Sequence, residues 1–319
     1  ILLVLTRTQL KRIFEKRNNF DLRRLLVGTD KPLQNLCQFT DQNLCCTMGA
    51  VRCLPLTSSV RDDIGQALVN GAAKAKNLVF AILTTSSHLI AMARMKKYAL
   101  QPSDVHLIMN LVQSNPSFKL AESWSPLCLP EFDDSGFLHA HISYLSDSCP
   151  ACLLLLTTER DAFFPMAEVR NRILTRLSRG KLLDQLRDAI SEPGLPIDQM
   201  KLSKDLWFFV YKNRLSGQLV APDILVPFWQ PQEQERLLRR CLIVHRMLNE
   251  HSSPNPQNNL FYHFGARETV LAYRTTGMEL CAIFSPCASK LNCVSITEKL
   301  VKWLKKEEDR LFILNPPVY

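Results

Sequence analysis

The sequence predicts an α/β (α+β) fold made of repeated sandwiches, each a mostly antiparallel sheet with helices packed on it. Three observations carry this. The apolar runs come in the order strand, strand, helix, strands, helix, and that order occurs twice. The 319 residues, at roughly 100 to 200 per domain, allow two domains and part of a third. A doubly wound dinucleotide fold needs strict strand-helix alternation and a Gly-rich first turn, and neither is present.

Each element has a local cause. Val79, Phe80, Ile82 and Leu83, then Leu89, Ile90, Ala91 and Met92, flank Thr84-Thr85-Ser86-Ser87, which reads as two strands joined by a polar hairpin turn. Pro102 suits a first helical position with Asp104 in the first turn, and Val105, Ile108, Met109 and Val112 share one face of the helix that follows. Residues 137–145 alternate as a strand, 152–157 form a buried one, and Met166, Val169, Ile173 and Leu177 stripe the next helix. The same order then returns. Residues 206–211 and a short run to Ala221 make strands around the turn 213–217, and Pro231 opens a helix through Leu237, Leu238, Leu242 and Val244. Strands at 260–264, 269–275 and 278–285 precede a last helix striped by Ile296, Leu300, Trp303, Leu304 and Leu311. The first strands and the helix-opening prolines of the two halves lie about 128 residues apart, which marks a duplicated unit without residue-level identity.

One helix after two strands and one after three more is a sandwich of the profilin or longin type. Residues 1–76 read as helices only, with Leu3, Leu10, Ile13 and Phe14 in one stripe and Leu33, Leu36 and Leu44 in another. Linkers are expected at 56–75 and at 192–204, the latter carrying Pro193, Gly194 and Pro196.

The composition is 46% hydrophobic and 22% charged with 10 Gly and 18 Pro, which excludes collagen-like and disordered classes. The uninterrupted apolar runs, 1–5 and 151–156 among them, fall far short of the ~20 residues that cross a bilayer. The first residue is Ile, and an apolar run precedes Arg7, Lys11 and Arg12, the reverse of a secretory signal; the numbering is expected to begin inside a longer protein. The 11 Cys are scattered and mostly set in apolar runs, so a reducing cytosol is expected and a disulfide framework is not. Lys and Arg number 39 against 30 Asp and Glu, a net charge of +9 that calls for an acidic partner surface.

Candidate chemistry is sparse. Cys149 and Cys152, with His139 and His141 on the preceding strand, have the ligand types of a zinc site. Cys152 begins an apolar strand, however, and not a metal-organised turn, so no metal and no cofactor is expected. No P-loop, Gly-rich phosphate turn, His-Glu-x-x-His or nucleophile elbow occurs, and the chain is not expected to be an enzyme. Lys299, Lys302, Lys305 and Lys306 lie on the outer face of the terminal helix, opposite Leu300, Trp303 and Leu304, a pattern that suits an anionic membrane surface. Arg172, Arg176 and Arg179 run along one edge of the corresponding helix in the first half, and these seven residues are the candidate membrane-binding set. Nucleic acid is not expected, because the four Trp sit mainly in apolar context and offer no stacking platform.

Four stretches carry a family resemblance. Asp21-Leu22-Arg23-Arg24-Leu25-Leu26, Gly49-Ala50-Val51-Arg52-Cys53-Leu54-Pro55-Leu56, Phe137 with His139-Ala140-His141-Ile142-Ser143-Tyr144-Leu145, and Lys306-Glu307-Glu308-Asp309-Arg310-Leu311-Phe312-Ile313-Leu314 closely resemble the SAND family, the Mon-one vacuolar fusion proteins. The resemblance implies three longin domains in a subunit that pairs with a Ccz-type longin subunit to form the guanine-nucleotide exchange factor of the late-endosomal Rab-seven GTPase. It also implies that exchange is carried by the first longin domains of both subunits. On that pattern residues 1–56 are the closing helices of a truncated first longin domain, 57–192 a second longin domain with a linker helix, and 204–319 a third. No catalytic residue carries over.

The expectation is therefore a cytoplasmic scaffold and regulatory subunit, peripherally recruited to endosomal, lysosomal or vacuolar membranes through anionic phospholipid or phosphoinositide. The alternative is a basic longin adaptor without exchange activity. A more remote one is a zinc-dependent module on Cys149 and Cys152.

Overall fold

The computed structural model describes every residue except 1–3, 74, 76, 147, 180, 193 and 251–258; Leu3 and Pro193 of the expected elements thus lie outside the described residues. Two units form, each discontinuous in sequence. The first takes the described residues of 1–39, 54–192 and 315–319, the second those of 40–53 and 193–314.

The amino-terminal helices are α1 (Arg7–Lys16), α2 (Asp30–Gln42) and α3 (Leu44–Thr47). A capping box starts α1: Gln9 N donates to Thr6 Oγ1 at 3.2 Å and Thr6 N to Gln9 Oε1 at 3.1 Å. In the first unit Asn110 Nδ2 donates to Pro32 O at 2.9 Å and Asn35 Nδ2 to Ser114 Oγ at 3.1 Å, tying α2 to the helix that Pro102 opens.

The segment 56–75, expected as a linker, is instead helix α4 (Ser58–Ala72), and it is core. Ile64, Leu68 and Ala72 are buried in one cluster with the sheet. Its polar first half, with Arg61, Asp62 and Asp63, hides the pattern. Arg61 is itself buried and donates from Nη2 to Leu54 O at 2.8 Å and from Nη1 to Ile90 O at 3.2 Å.

After α4 come β1 (Leu78–Thr84), β2 (Leu89–Arg94), α5 (Pro102–Ser114), β3 (Ser123–Leu129), β4 (Asp133–Ser146), β5 (Cys149–Thr157), α6 (Phe163–Arg179) and α7 (Leu182–Ser191). The sheet is antiparallel in the order β2-β1-β5-β4-β3. Every residue of β1 is buried, as a central strand covered on both faces requires. On one face α4 crosses α6 at Gly71, where a Cβ would stand 2.3 Å from Ile173 Cγ1, so only glycine lets the two helices approach. Strand β3 was not expected, because Pro126 interrupts its pattern; it is an edge strand, the one place a sheet tolerates proline.

The second unit repeats the plan with β6 (Leu206–Asn213), β7 (Gln218–Val220), α8 (Pro231–Glu250), β8 (Asn259–Phe264), β9 (Thr269–Arg274), β10 (Met278–Phe284), α9 (Lys290–Lys306) and the single turn α10 (Glu308–Leu311). The order β7-β6-β10-β9-β8 is that of the first sheet, again antiparallel. The expected duplication is thus the observed topology. Phe209, Leu280 and Ala282 face α9, and Phe208, Val210 and Cys281 face α8, giving a cluster on each side of the sheet. The last helix ends at Lys306, so Leu311 belongs to the separate turn. The other expected linker also joins a core: Leu195, Ile197 and Met200 are buried in the α9 cluster.

Short segments extend or cap the sheet edges within each unit. Residue 51 pairs in parallel with β7, Val51 N donating to Gly217 O and Leu219 N to Val51 O, both at 2.9 Å. Along β2, Leu54 N donates to Leu89 O at 2.9 Å, Arg94 N to Pro317 O at 3.1 Å and Tyr319 N to Arg94 O at 3.2 Å.

Candidate functional site

Helix α9 is built to hold one face in and one face out. Ser289 caps it, its Oγ accepting from Asn292 N at 3.2 Å. Cys293, Ile296, Leu300 and Leu304 are buried against the sheet. Lys299, Lys302, Lys305 and Lys306 are all exposed, and none forms an ion pair among the described residues. Lys305 and Lys306 also stand in the last turn, where the helix dipole favours cations.

The arginines of α6 do not form an equivalent set. Arg176 and Arg179 are exposed, but Arg172 is half-buried and its Nε donates to Gly71 O at 3.2 Å, at the α4 crossing. Its charge is used to hold two helices together within the first unit.

Beside the lysine face lies a groove of about 630 Å³ that periodicity could not show. Its floor is Leu260, Tyr262, Leu271 and Tyr273 from β8 and β9, with Val294 and Val301 of α9 along one wall. Lys290, Lys302 and Lys305 line it, against Glu298 as the acid among its lining residues. Lys290 Nζ sits 5.4 Å from the centroid of the Tyr262 ring, a cation-π contact. The strand residues had been legible only as apolar strand positions.

The same position in the first unit is filled. The units align at Thr157 with Phe284 and at Phe163 with Lys290, which puts the Trp124 and His141 pair where Tyr262 and Leu271 pair. His141 is fully buried, with Nε2 2.8 Å from Glu122 Oε2, and Arg170 Nη1 stands 3.5 Å from Glu122 Oε1. Trp124 stacks on His139 with centroids 5.9 Å apart, meets Phe163 edge-on at 6.1 Å and donates from Nε1 to Arg160 O at 3.0 Å. Burial holds His141 below its usual value, the opposing pull of Glu122 being the smaller effect. The imidazole is therefore neutral at pH 7 and donates from Nε2 to the carboxylate.

The zinc candidates are committed elsewhere. Cys149 shares the helix-facing cluster with Ala151 and Leu153, so Cys152, an odd step away on β5, points to the other face. Burial raises both thiols, Cys152 to about 12, whereas a zinc ligand must be a thiolate. His139 and His141 are engaged with Trp124 and Glu122. The donors do not converge, and the described residues contain no group of three or more metal-ligating side chains. Nor is any helix among them long and apolar enough to cross a membrane.

The model described as "Second Longin domain of FUZ, MON1 and HPS1" matches residues 76–175, and the one described as "Third Longin domain of FUZ, MON1 and HPS1" matches residues 205–308. Over its whole length the chain is 42% identical to vacuolar fusion protein MON1 homolog A of Gallus gallus, spanning 57% of that protein. It is likewise 41% identical to Protein SAND of Takifugu rubripes, spanning 60%, and 34% identical to MON1 homolog B of Mus musculus, spanning 60%. The chain thus spans little more than half the length of these relatives. With both units matched as longin domains and all of its length matched by MON1 and SAND relatives, the chain belongs to the MON1/SAND family of longin-domain proteins.

Proposed function

We propose that the chain is the scaffold and regulatory part of a heterodimeric guanine-nucleotide exchange factor, paired with a Ccz-type longin subunit, that activates the late-endosomal Rab-seven GTPase. Its work lies in vesicle trafficking, endosome maturation, autophagy and fusion with the lysosome or vacuole. The observation that supports this reading is the pair of consecutive longin sandwiches, in a chain all of whose length aligns with part of proteins named for vacuolar fusion. The partner subunit and the GTPase come from the family resemblance.

In this reading exchange is a matter of positioning. The chain makes no covalent bond and uses no cofactor; its two sandwiches hold a partner subunit. The exposed lysines of α9 contact anionic phospholipid or phosphoinositide and bring the complex peripherally to endosomal and lysosomal membranes. The family resemblance puts exchange on the first longin domains, whereas the domains matched here are the second and third; in this reading the chain by itself supplies no exchange surface. The test is co-purification with a Ccz subunit followed by nucleotide release from Rab GTPases: the complete complex accelerates release and the 319-residue chain alone does not. Release by the chain alone would show the active surface to be elsewhere.

The four exposed lysines of α9, without an ion pair among the described residues, also favour a second reading, a basic longin adaptor that binds lipid or trafficking proteins without exchange activity. Liposome binding with no Ccz co-purification and no release would select it.

A further inference from the structure

Four strands form the edges of the two sheets, and three of them are blocked against further pairing by features of this chain. Backbone of residues 54, 317 and 319 bonds to β2, and Val51 bonds to β7. Strand β3 carries Pro126, which has no N–H to offer. Strand β8 differs: its outer side has no backbone partner among the described residues.

The register says which groups it presents. Gly265 N donates to Glu268 O at 3.1 Å, so the alternating rule makes His263 with Val270 and Phe261 with Ala272 the hydrogen-bonded pairs. The backbone N–H and C=O of Leu260, Tyr262 and Phe264 therefore point outward. Leu260 and Phe264 are 69% and 66% exposed, and Leu260 and Tyr262 are also floor residues of the groove. Phe264 stands at the register position that Pro126 occupies in the first unit.

An open row of backbone donors and acceptors, an apolar trough beside it and three lysines against one acid along the trough define a complementary occupant. We propose that β8 and the α9 groove of the second unit receive an extended acidic segment of a partner protein, which adds as a sixth strand. Its backbone pairs with Leu260, Tyr262 and Phe264. Apolar side chains at every second position lie over the groove, and Asp or Glu residues reach Lys290, Lys302 and Lys305. The recognition is of chain conformation plus charge; it does not need the exchange-complex reading, but it shares Lys302 and Lys305 with the membrane face proposed above, so segment and membrane compete for them.

The test is a phage-displayed random decapeptide library selected on the full 319-residue chain, with the Leu260→Pro chain selected in parallel. This proline removes an outward N–H and no ladder bond, and the melting temperature of the variant checks that the sheet stands. Enriched peptides should show apolar residues at every second position and an excess of Asp and Glu. The best peptide, followed by fluorescence anisotropy, should bind at least about tenfold more weakly to Leu260→Pro and to the Lys302→Glu/Lys305→Glu chain. N-methylation of alternate peptide amides should cost about as much, and that comparison leaves the protein unchanged. Enrichment that is equal on wild type and on a folded Leu260→Pro chain would overturn the proposal. So would indifference to N-methylation, or one-to-one binding of oleate with no peptide enriched, which would make the groove a site for an acyl chain.

Discussion

In the first unit the space between α6 and the outer strands β4 and β3 is closed by Trp124, Phe163 and buried His141, which contacts Glu122, itself paired with Arg170. In the second unit the corresponding space is an open apolar trough bordered by lysines. The strand order is the same in both. What differs is a handful of side chains: Tyr262 for Trp124, Leu271 for His141, Lys290 for Phe163 and Thr297 for Arg170. One copy of the fold has used this position for its own stability and the other has left it accessible, so function in a duplicated fold is best sought where the copies disagree.

Membrane recruitment offers the largest test of that contrast. Reversing Lys299, Lys302, Lys305 and Lys306 to Glu should weaken sedimentation with phosphatidylserine and phosphoinositide liposomes by two to three orders of magnitude, at about 1 kcal/mol per charge, most strongly at low salt. Melting should barely move, because exposed charges contribute little to stability. Unchanged binding would leave the lysine face merely solvated and point to α1, with Arg7, Lys11, Arg12 and Lys16.

Next in size is the filled position. Trp124→Ala should lower the stability of the first unit by about 1–3 kcal/mol, less than for a fully buried indole because this one is partly exposed. Tyr262→Ala, at the matching position, should cost less and should widen the groove. Equal costs, read by thermal denaturation and by amide exchange within each unit, would deny that the two positions differ in role.

The arginines of α6 give a smaller effect on lipid. Arg176→Glu with Arg179→Glu should reduce liposome binding by about tenfold, whereas Arg172→Gln should lower stability by freeing Gly71 O and leave lipid binding alone. A lipid defect in Arg172→Gln without loss of stability would break this division.

The smallest expected effect is a pH dependence. Burial holds His141 below its unfolded value of 6.5, so the unfolded chain takes up the proton first as pH falls. The stability contribution is complete above that value and declines as pH drops through it. Glu122 opposes the shift and Arg170 reinforces it. Melting temperature should therefore fall more steeply below pH 6.5 in wild type than in His141→Leu, which places at this position the residue type the second unit uses. Parallel curves would show the imidazole to be free to protonate.

Most strands and the helices opened by Pro102 and Pro231 were legible because alternation, helical periodicity and proline all act over a few residues. Strand β3 was not, since Pro126 breaks the local pattern and its pairing with β4 is non-local. Helix α4 was misread as a linker because its burial depends on a guanidinium satisfied by distant carbonyls and on Gly71 meeting Ile173. Of the candidate site, the exposure of the α9 lysines followed from helical spacing. The tether on Arg172 did not, and the groove did not, because it exists only where β8, β9 and α9 come together.

The bonds of residues 317 and 319 to β2 give the first unit a dependence on the direction of synthesis. A ribosome delivers these residues only after every strand of the second unit, so a nascent first unit presents a β2 edge that residue 54 meets at Leu89 but that stays bare at Arg94 for as long as the intervening stretch takes to translate. At about 5–20 residues per second, the more than 100 residues between α7 and residue 317 hold that edge open for several seconds to tens of seconds. Slowing elongation in this stretch would lengthen the interval in which a chaperone, or another nascent chain, finds the edge first.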